Sequence, residues 1–448
     1  MKLLKHTKNL YFLKKNVSIN NQSIIINLLS KNYSARILSP NSLLFNHKKN
    51  IDRAQKFMTH MCPPKNLIEK HMTKEMDFEP GLGYFQNQNT FDINLFERED
   101  SEKTAEAGFV QIIIPFDTNP SLQNDYRLLH TNRIRNGKLL ELLDYLSALS
   151  AYRYNSILPK SKVATFVTAS VDNIEIKIFE LKNPLIINAY PTWTGASSME
   201  IRMDLFLDRS HSDDTFLGSA FFMYVMRDGE DYSKKKLTFP LKNELIQDAK
   251  EREKANIRFE IGLENKKQRI FELQTSLDRK APNQEESEFL HKIFVDHKNH
   301  SMTKYKAIKE TQIDKSILMH SQNMNVNGHV FGGYIIKEAL DAGYVCAYMH
   351  NNREIPIVFA IDNVTFYKPV IIGSVAKFSA CVCYVHEELI HVAVEVYNYI
   401  NDNPTLTTVI NITYKTSKKT ENVIPASYEC GMKFLEAKRR IEKIFDYY

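Results

Sequence analysis

The chain has 448 residues, 43% of them hydrophobic and 25% charged, a composition that supports buried cores, excludes global disorder and suits two or three domains. A net charge of +6, much of it near the start, lacks the concentrated basic face of a nucleic-acid binder. Five scattered Cys (62, 346, 381, 383, 430) form no disulfide framework and fit a reduced compartment, and no stretch approaches the roughly 20 apolar residues of a membrane-spanning helix.

From Met1 to Ile51 there is no Asp or Glu, while Lys2, Lys5, Lys8, Lys14, Lys15, Lys31 and Arg36 alternate with Asn, Ser and apolar clusters. Basic, acid-free and amphipathic is the pattern of a mitochondrial transit peptide. Residues 1–50 are therefore expected to be an address and lead, and 51–104 an N-terminal extension.

The rest is organised by an internal repeat. Ala151-Tyr-Arg-Tyr-Asn155 recurs as Ala347-Tyr-Met-His-Asn351, an offset of 196 (347 − 151), which places Gly137 on Gly333. Ser170-Val-Asp-Asn-Ile174 recurs as Ala360-Ile-Asp-Asn-Val364. Each copy opens on a short strand-like lead, Phe109–Phe116 and then Tyr305–Ile313. A helix follows, Gly137–Tyr154 and Gly333–His350, marked by apolar positions at helical spacing.

Long β-patterned runs come next. They are Val163–Ile178, Pro184–Trp193, Ser198–Leu207 and Phe216–Met226 in copy one. In copy two they are Ile355–Val370, Ser374–Val385, Leu389–Ile400 and Leu406–Tyr414. Cys381 and Cys383 alternate inside such a run, which puts both thiols on one strand face as packed apolar groups. One helix followed by a run of strands is α+β, with the helix cradled by a curved antiparallel sheet. The expected domains are 105–232 and 305–427, joined by a charge-dense helical connector at 233–304. A closing helix at Glu436–Tyr448 lies within a final segment, 428–448.

The chemistry-bearing motif is Asn325-Val-Asn-Gly-His-Val-Phe-Gly-Gly333, running into the second helix. Glycines at a helix start admit a ligand to free N–H groups and the positive end of the helix dipole. Asn325, Asn327 and His329 stand on the approach as donors for a carbonyl or a water. Asp144 lies two turns after Gly137 among apolar neighbours, where shielding raises a carboxyl pKa toward that of a base. Glu141 is expected to face solvent.

In copy two the match to Asp144 is Leu340, with Asp341 beside it, and Arg133 matches His329. If the halves pair by a pseudo-twofold, one composite site keeps Asp144 with Asn325, Asn327, His329 and Gly333. The other holds Arg133, Leu340 and Asp341 and is altered or dead.

Several segments together resemble the two-domain mitochondrial acyl-CoA thioesterases of the 9/10 branch. In copy one they are Arg135–Asp144, Val167–Asp172, Trp193–Ile201 and Phe221–Asp228. The connector adds Thr275–Pro282, and copy two adds His329-Val-Phe-Gly-Gly333 and Asp362–Val370. The resemblance implies two tandem hot-dog domains, acyl-CoA hydrolysis with no bound cofactor or metal, and residence in the mitochondrion, in its matrix. It implies Asp144 acting across the domain interface with His329, Asn325 and Asn327. His329 departs from the Asn or Asp usual in relatives.

On this reading the thioester carbonyl points at the Gly333 N–H, and Asp144 activates a water or attacks directly. Gly137, Gly332, Lys368 and Asp341 are the candidate substrate contacts, with Lys368 on the CoA phosphates. A homo-oligomer of double hot-dogs, dimer or trimer, is also expected, as in relatives. The competing readings are an acyl-thioester hydratase or dehydratase and a non-catalytic acyl-CoA binder. His386-Glu-Glu-Leu-Ile-His391 has one residue too many for a zinc-protease motif and reads as strand. Gly81-Leu-Gly83 is too weak to imply nucleotide binding.

Overall fold

The structure is a computed structural model and describes residues 103–445, except 158–163, 209–214, 232, 278, 300–304, 326–327 and 401–402. The expected address at 1–50, nearly all of the 51–104 extension, Cys62, Gly81–Gly83 and Asn327 lie outside the described residues.

Strand β1 (Val110–Ile114) leads into α1 (Pro120–Tyr126). Asn119 starts that helix by accepting the Leu122 N–H at 3.0 Å, with Pro120 just inside, where a missing N–H costs nothing. The long helix α2 (Asn136–Tyr154) follows. Its Leu139, Leu140, Leu143 and Leu146 are buried. Four long strands wrap it: β2 (Ala164–Ile176), β3 (Leu185–Thr194), β4 (Ser198–Leu207) and β5 (Thr215–Asp228).

The connector forms α3 (Ala249–Thr275) and α4 (Gln284–Asn299). Helix α3 lies on the outer face of this sheet, where Gly262 abuts Trp193 and Lys266 sits 4.6 Å over the Trp193 ring.

The second half repeats the plan with β6 (Lys306–Ala307), β7 (Ile313–Leu318), α5 (Gly332–His350), β8 (Ile357–Ile361), β9 (Val364–Phe366), β10 (Val375–His386), β11 (Leu389–Ile400), β12 (Asn403–Lys415) and β13 (Val423–Ile424). Helix α6 (Tyr428–Phe445) closes the chain. It begins eight residues before the expected Glu436 and packs on the back of β10 and β11, with Arg440 paired to Asp362 at 2.7 Å.

Two expectations are corrected. The lead at Tyr305–Ile313 is not one strand: β6 covers only Lys306–Ala307, residues 308–311 form a 3-10 turn, and β7 starts at Ile313. The run Ile355–Val370 breaks in two at Asp362 and Asn363, where the chain turns into the seam between the halves.

The halves share one antiparallel sheet in the order β1-β3-β4-β5-β2-β9-β12-β11-β10-β7, with β8 on β12. The join is short: Ser170 pairs with Thr365 and Val171 with Val364. The repeated Asp-Asn motifs meet there, and the Asn173 N–H donates to Asn363 Oδ1 at 3.0 Å. Separately, β6 and β13 pair in parallel. A long central helix wrapped by curved antiparallel strands, twice, is a double hot-dog. Its core runs continuously through both helices and the inner sheet faces.

Cys383 sits at a bulge in β10, with its Sγ 3.6 Å from that of Cys381. His391, inside β11, is buried against Thr413 and Asn411, and burial lowers its pKa to about 4. Among the described residues no helix is long and apolar enough to cross a membrane, and no three His, Cys, Asp or Glu side chains converge.

Candidate active site

Helices α2 and α5 run antiparallel through the middle of the molecule, and their starts are glycines for a steric reason. A Cβ on Gly137 would lie 3.1 Å from the Lys337 carbonyl oxygen. A Cβ on Gly333 would lie 3.0 Å from the Glu141 backbone and 2.9 Å from the Asp144 Cβ. Positions 137 and 141 are the repeat partners of 333 and 337, so the two close approaches are images of one another across a pseudo-twofold.

That crossing brings Asp144 to the start of the other helix. Asp144 is 0% exposed. Its Oδ2 accepts the Gly333 N–H at 2.6 Å, and its Oδ1 accepts Tyr224 Oη–H at 3.0 Å and Thr168 Oγ1–H at 3.1 Å. Tyr224 is in turn fixed by Ser147 Oγ at 2.8 Å. Burial pushes the Asp144 carboxyl up to about 6, and the three donors hold it from rising further. Glu141 also raises it. Glu141 is not on a solvent face as expected: it is half-buried in the seam between Lys138 at 3.1 Å and Lys337 at 3.3 Å. No arginine is among the Asp144 partners.

The approach loop is internally braced. The Asn325 N–H donates to the His329 carbonyl at 2.7 Å, and the His329 N–H returns to Asn325 Oδ1 at 3.1 Å. Gly328 turns the loop with φ +79°, a conformation that costs glycine little. The Phe331 ring stacks on Tyr145 at 4.0 Å and 10°.

A cavity of about 340 Å³ opens beside this constellation. Asn325, His329, Gly332, Thr168, Tyr224 and Lys368 are among its lining residues. It also touches Phe166 and Thr168, which pack inward against Tyr224 and Asp144, as well as the alternate positions Val167 and Ala169. Successive strand residues face opposite sides, so the cavity passes from one sheet face to the other. The passage exists because β9 pairs with β2 only at 170 and 171. Beyond that, residue 367 turns to the Thr407 carbonyl and residue 370 to the Val330 N–H. The Phe166–Ala169 edge of β2 is left without a strand on that side.

Asp144 stands one residue behind the cavity wall. Gly332 decides whether it can be reached, since a Cβ there would lie 3.2 Å from Asp144 Oδ2. With glycine, residue 332 sets only backbone atoms beside that oxygen, which is itself fully buried. The Gly333 N–H, expected to face a substrate carbonyl, is taken by Asp144 instead. The Gly332 N–H, in the first turn of α5, has no acceptor within the helix.

The image of this site across the pseudo-twofold has lost every polar group but the tyrosine hydroxyl. Leu340 stands for Asp144, at the same 196 offset (340 − 144), and Gly343 for Ser147. Val358 and Tyr414 pair across β8 and β12 as Thr168 and Tyr224 pair across β2 and β5. Tyr414 Oη is buried with no hydrogen-bond partner. The matching cavity, lined by Asn136, Leu139, Ile176 and Val358, has shrunk to about 20 Å³.

Asp341 lies on this second side, held by the Nε and Nη2 of Arg135 and away from the large cavity. The guanidinium on Asp341 is thus that of Arg135, whereas Arg133 bridges the backbone of Glu180. Gly137 is buried in the helix crossing, and Lys368 is exposed at the cavity mouth.

Thr168, Tyr224 and Arg227 are site residues that sequence reasoning did not single out. The signal for Thr168 and Tyr224 was their pairing to Val358 and Tyr414 at a second offset, 190 (414 − 224), rather than 196.

Residues 327–405 match the thioesterase superfamily model. The chain is homologous to the acyl-coenzyme A thioesterase 9, mitochondrial, of Homo sapiens, with 28% identity over 351 residues covering 75% of this chain and 77% of that one. It is likewise homologous to the acyl-coenzyme A thioesterase 10, mitochondrial, of Mus musculus, with 27% identity over 352 residues and the same coverage, 75% and 77%. A solved acyl-CoA hydrolase from Staphylococcus aureus, in complex with butyryl coenzyme A, coenzyme A and coenzyme A disulfide, is 20% identical and superposes with a TM-score of 0.30 over 32% of this chain and 91% of its own.

Proposed function

We propose that this relative of the mitochondrial acyl-CoA thioesterases 9 and 10 is itself an acyl-CoA thioesterase, hydrolysing the thioester at the composite site between its two hot-dog halves. The observation that carries the reading is a fully buried carboxyl, Asp144, raised to about 6 and set directly behind Gly332 and Thr168, which line the cavity. A group poised near neutrality just behind the wall of a cavity is placed for proton transfer.

In this mechanism the thioester enters through the gap beside β2, its carbonyl oxygen resting on the Gly332 N–H at the positive end of α5. A water lodges between Gly332 and Thr168. Asp144 accepts one of its protons as the oxygen adds to the carbonyl carbon. The tetrahedral intermediate collapses by breaking the carbon–sulfur bond, and the departing CoA sulfur takes the proton from Asp144. Asn325 and His329 orient the carbonyl from the loop, and Tyr224 and Thr168 keep the carboxylate aimed. Gly333 positions Asp144 and does not touch substrate. Arg227 and Lys368 face the outer mouth, where they suit the CoA phosphates.

The second pocket is inert on this reading, since Leu340 cannot carry a proton. Mitochondrial residence belongs to the same proposal, supported by the names of the relatives and by the basic, acid-free Met1–Ile51 segment.

The test is release of free CoA thiol from a panel of acyl-CoAs by the wild type and by Asp144→Asn. Wild-type turnover with loss of about 10²–10⁴-fold in the variant is expected. Equal turnover in both would overturn the assignment of Asp144. Hydration of an enoyl-CoA without thiol release would favour the hydratase reading, and tight binding without turnover the binder.

A further inference from the structure

The inner arm of the cavity has a floor. Asp144, Ala148 and Tyr152 are spaced by four residues on α2 and so lie along one helix face. Ala148 and Tyr152 both line the cavity. The Tyr152 hydroxyl is fixed by Thr165 Oγ1 at 2.9 Å and accepts the Phe166 N–H at 3.4 Å. Its ring meets Phe166 edge-on at 5.0 Å and 88°, and Phe166 meets Tyr224 at 6.3 Å and 90°. These rings close the arm with a latch pinned at both ends, by the hydroxyl to β2 and through Phe166 to the Asp144 partner. Ala148 is the small residue halfway along it.

Resting on the thioesterase reading above, we propose that the Tyr152–Phe166 latch sets an upper limit on acyl length, so that the substrates are short- to medium-chain acyl-CoAs, with Ala148 as a specificity-determining residue. From Asp144 to Tyr152 the helix advances about 12 Å at 1.5 Å per residue, the span of an extended chain of about ten carbons. A longer chain meets the Tyr152 ring, and moving it breaks the hydroxyl's two bonds and opens the aromatic pair. At position 148 a larger side chain projects into the path one turn beyond the reacting carbon, where it obstructs medium chains more than short ones.

The experiment measures kcat/KM by thiol release for butyryl-, octanoyl-, decanoyl- and palmitoyl-CoA below their micelle concentrations. The wild type is expected to process butyryl- to decanoyl-CoA and to disfavour palmitoyl-CoA by at least about tenfold. Ala148→Phe should lower the decanoyl-to-butyryl ratio by at least about tenfold. If it fails to fold by circular dichroism, Ala148→Val decides with the same ratio shifted in the same direction. Palmitoyl-CoA hydrolysed as fast as decanoyl-CoA, or a ratio unmoved by the folded variant, overturns the limit and leaves the hydrolase reading standing. Hydrolysis of no chain length by the wild type overturns the hydrolase reading itself.

Discussion

The amide of Gly333 and the carboxylate of Asp144 meet at 2.6 Å although 189 positions separate them. One hydrogen bond thus ties the start of one central helix to the middle of the other, and it makes the adjacent glycines unequal. At Gly333 an added Cβ meets backbone and a Cβ at 2.9–3.0 Å, which cannot move without parting the helices. At Gly332 the added Cβ meets an Asp144 oxygen, the Phe366 ring and a Thr168 carbon at 3.2, 3.3 and 3.5 Å, which yield by small shifts. Gly333→Ala is therefore expected to destabilise by about 1–3 kcal/mol, read as a fall in the thermal midpoint. Gly332→Ala should leave the midpoint near wild type while cutting thiol release by at least about tenfold, because it plugs the opening to Asp144 at an N–H worth several kcal/mol to an oxyanion. The reverse pattern would show that Gly332 is not the opening.

The Asp144 carboxyl has opposite effects on activity and stability. It titrates near 6 when folded and at 3.8 when exposed. The unfolded chain therefore releases this proton at lower pH than the folded one, and stability falls between these values. The contribution is full below about pH 4, is lost as pH rises through 6 and is level above, an order of about 3 kcal/mol at 1.36 kcal/mol per unit. Activity needs the carboxylate, so kcat/KM should climb through pH 6 to a plateau. Asp144→Asn should lose activity and unfold at a higher temperature than wild type at pH 7.5. A thermal midpoint below wild type at that pH would show that the carboxylate is net stabilising and that the shift has been misassigned.

Both helices and the repeat were readable in the sequence from helical periodicity and an ungapped offset of 196, whereas the meeting of Asp144 with the Gly-Gly turn followed only on pairing the halves by a pseudo-twofold, as the family resemblance implied. The oxygen-side partners were not readable. Thr168 and Tyr224 sit in runs such as Val167-Thr-Ala-Ser and Phe222-Met-Tyr-Val, where an inward polar residue looks like any other strand position. Their repeat partners run at an offset of 190, shifted by the different lengths of the helix-to-strand connections, so the ungapped alignment that found Gly137 missed them. The occupation of the Gly333 N–H was also hidden, since spacing shows which groups are near but not which pair forms. The splitting of the run Ile355–Val370 has the same cause: its Asp362-Asn363 turn is imposed by the other half of the molecule.

The two halves carry the same tyrosine in opposite circumstances, Tyr224 with three hydroxyl contacts and Tyr414 with none. Tyr414→Phe removes a buried group that has no partner, so the midpoint should stay or rise, by up to about 1 kcal/mol, with turnover unchanged. Tyr224→Phe removes a bond that holds the Asp144 pKa down, so the acid limb of the rate profile should move above pH 6 and turnover should fall. Equal effects of the two substitutions would mean that the second half retains a working site. Leu340→Asp alone should not revive that half, because Val358 offers no hydroxyl and the cavity of about 20 Å³ admits no acyl chain.

At the outer mouth the cations should act on binding and not on chemistry. Arg227 lines the cavity from β5 and Lys368 from the segment after β9, on either side of the strand edge where the passage opens. Neither is near the buried carboxylate: Arg227 pairs along the strand ladder with Thr165, and Lys368 is exposed. If they hold the CoA phosphates, Arg227→Ala and Lys368→Ala raise KM several-fold with kcat preserved, the signature of lost uniform binding. Because the attraction is between charges close to solvent, wild-type KM should rise with ionic strength, and less steeply in each variant. The pantetheine thioester of a substrate lacking the nucleotide phosphates gives the decisive comparison. Both variants should match wild type on it, and a kcat loss there would place these side chains at the reacting centre instead.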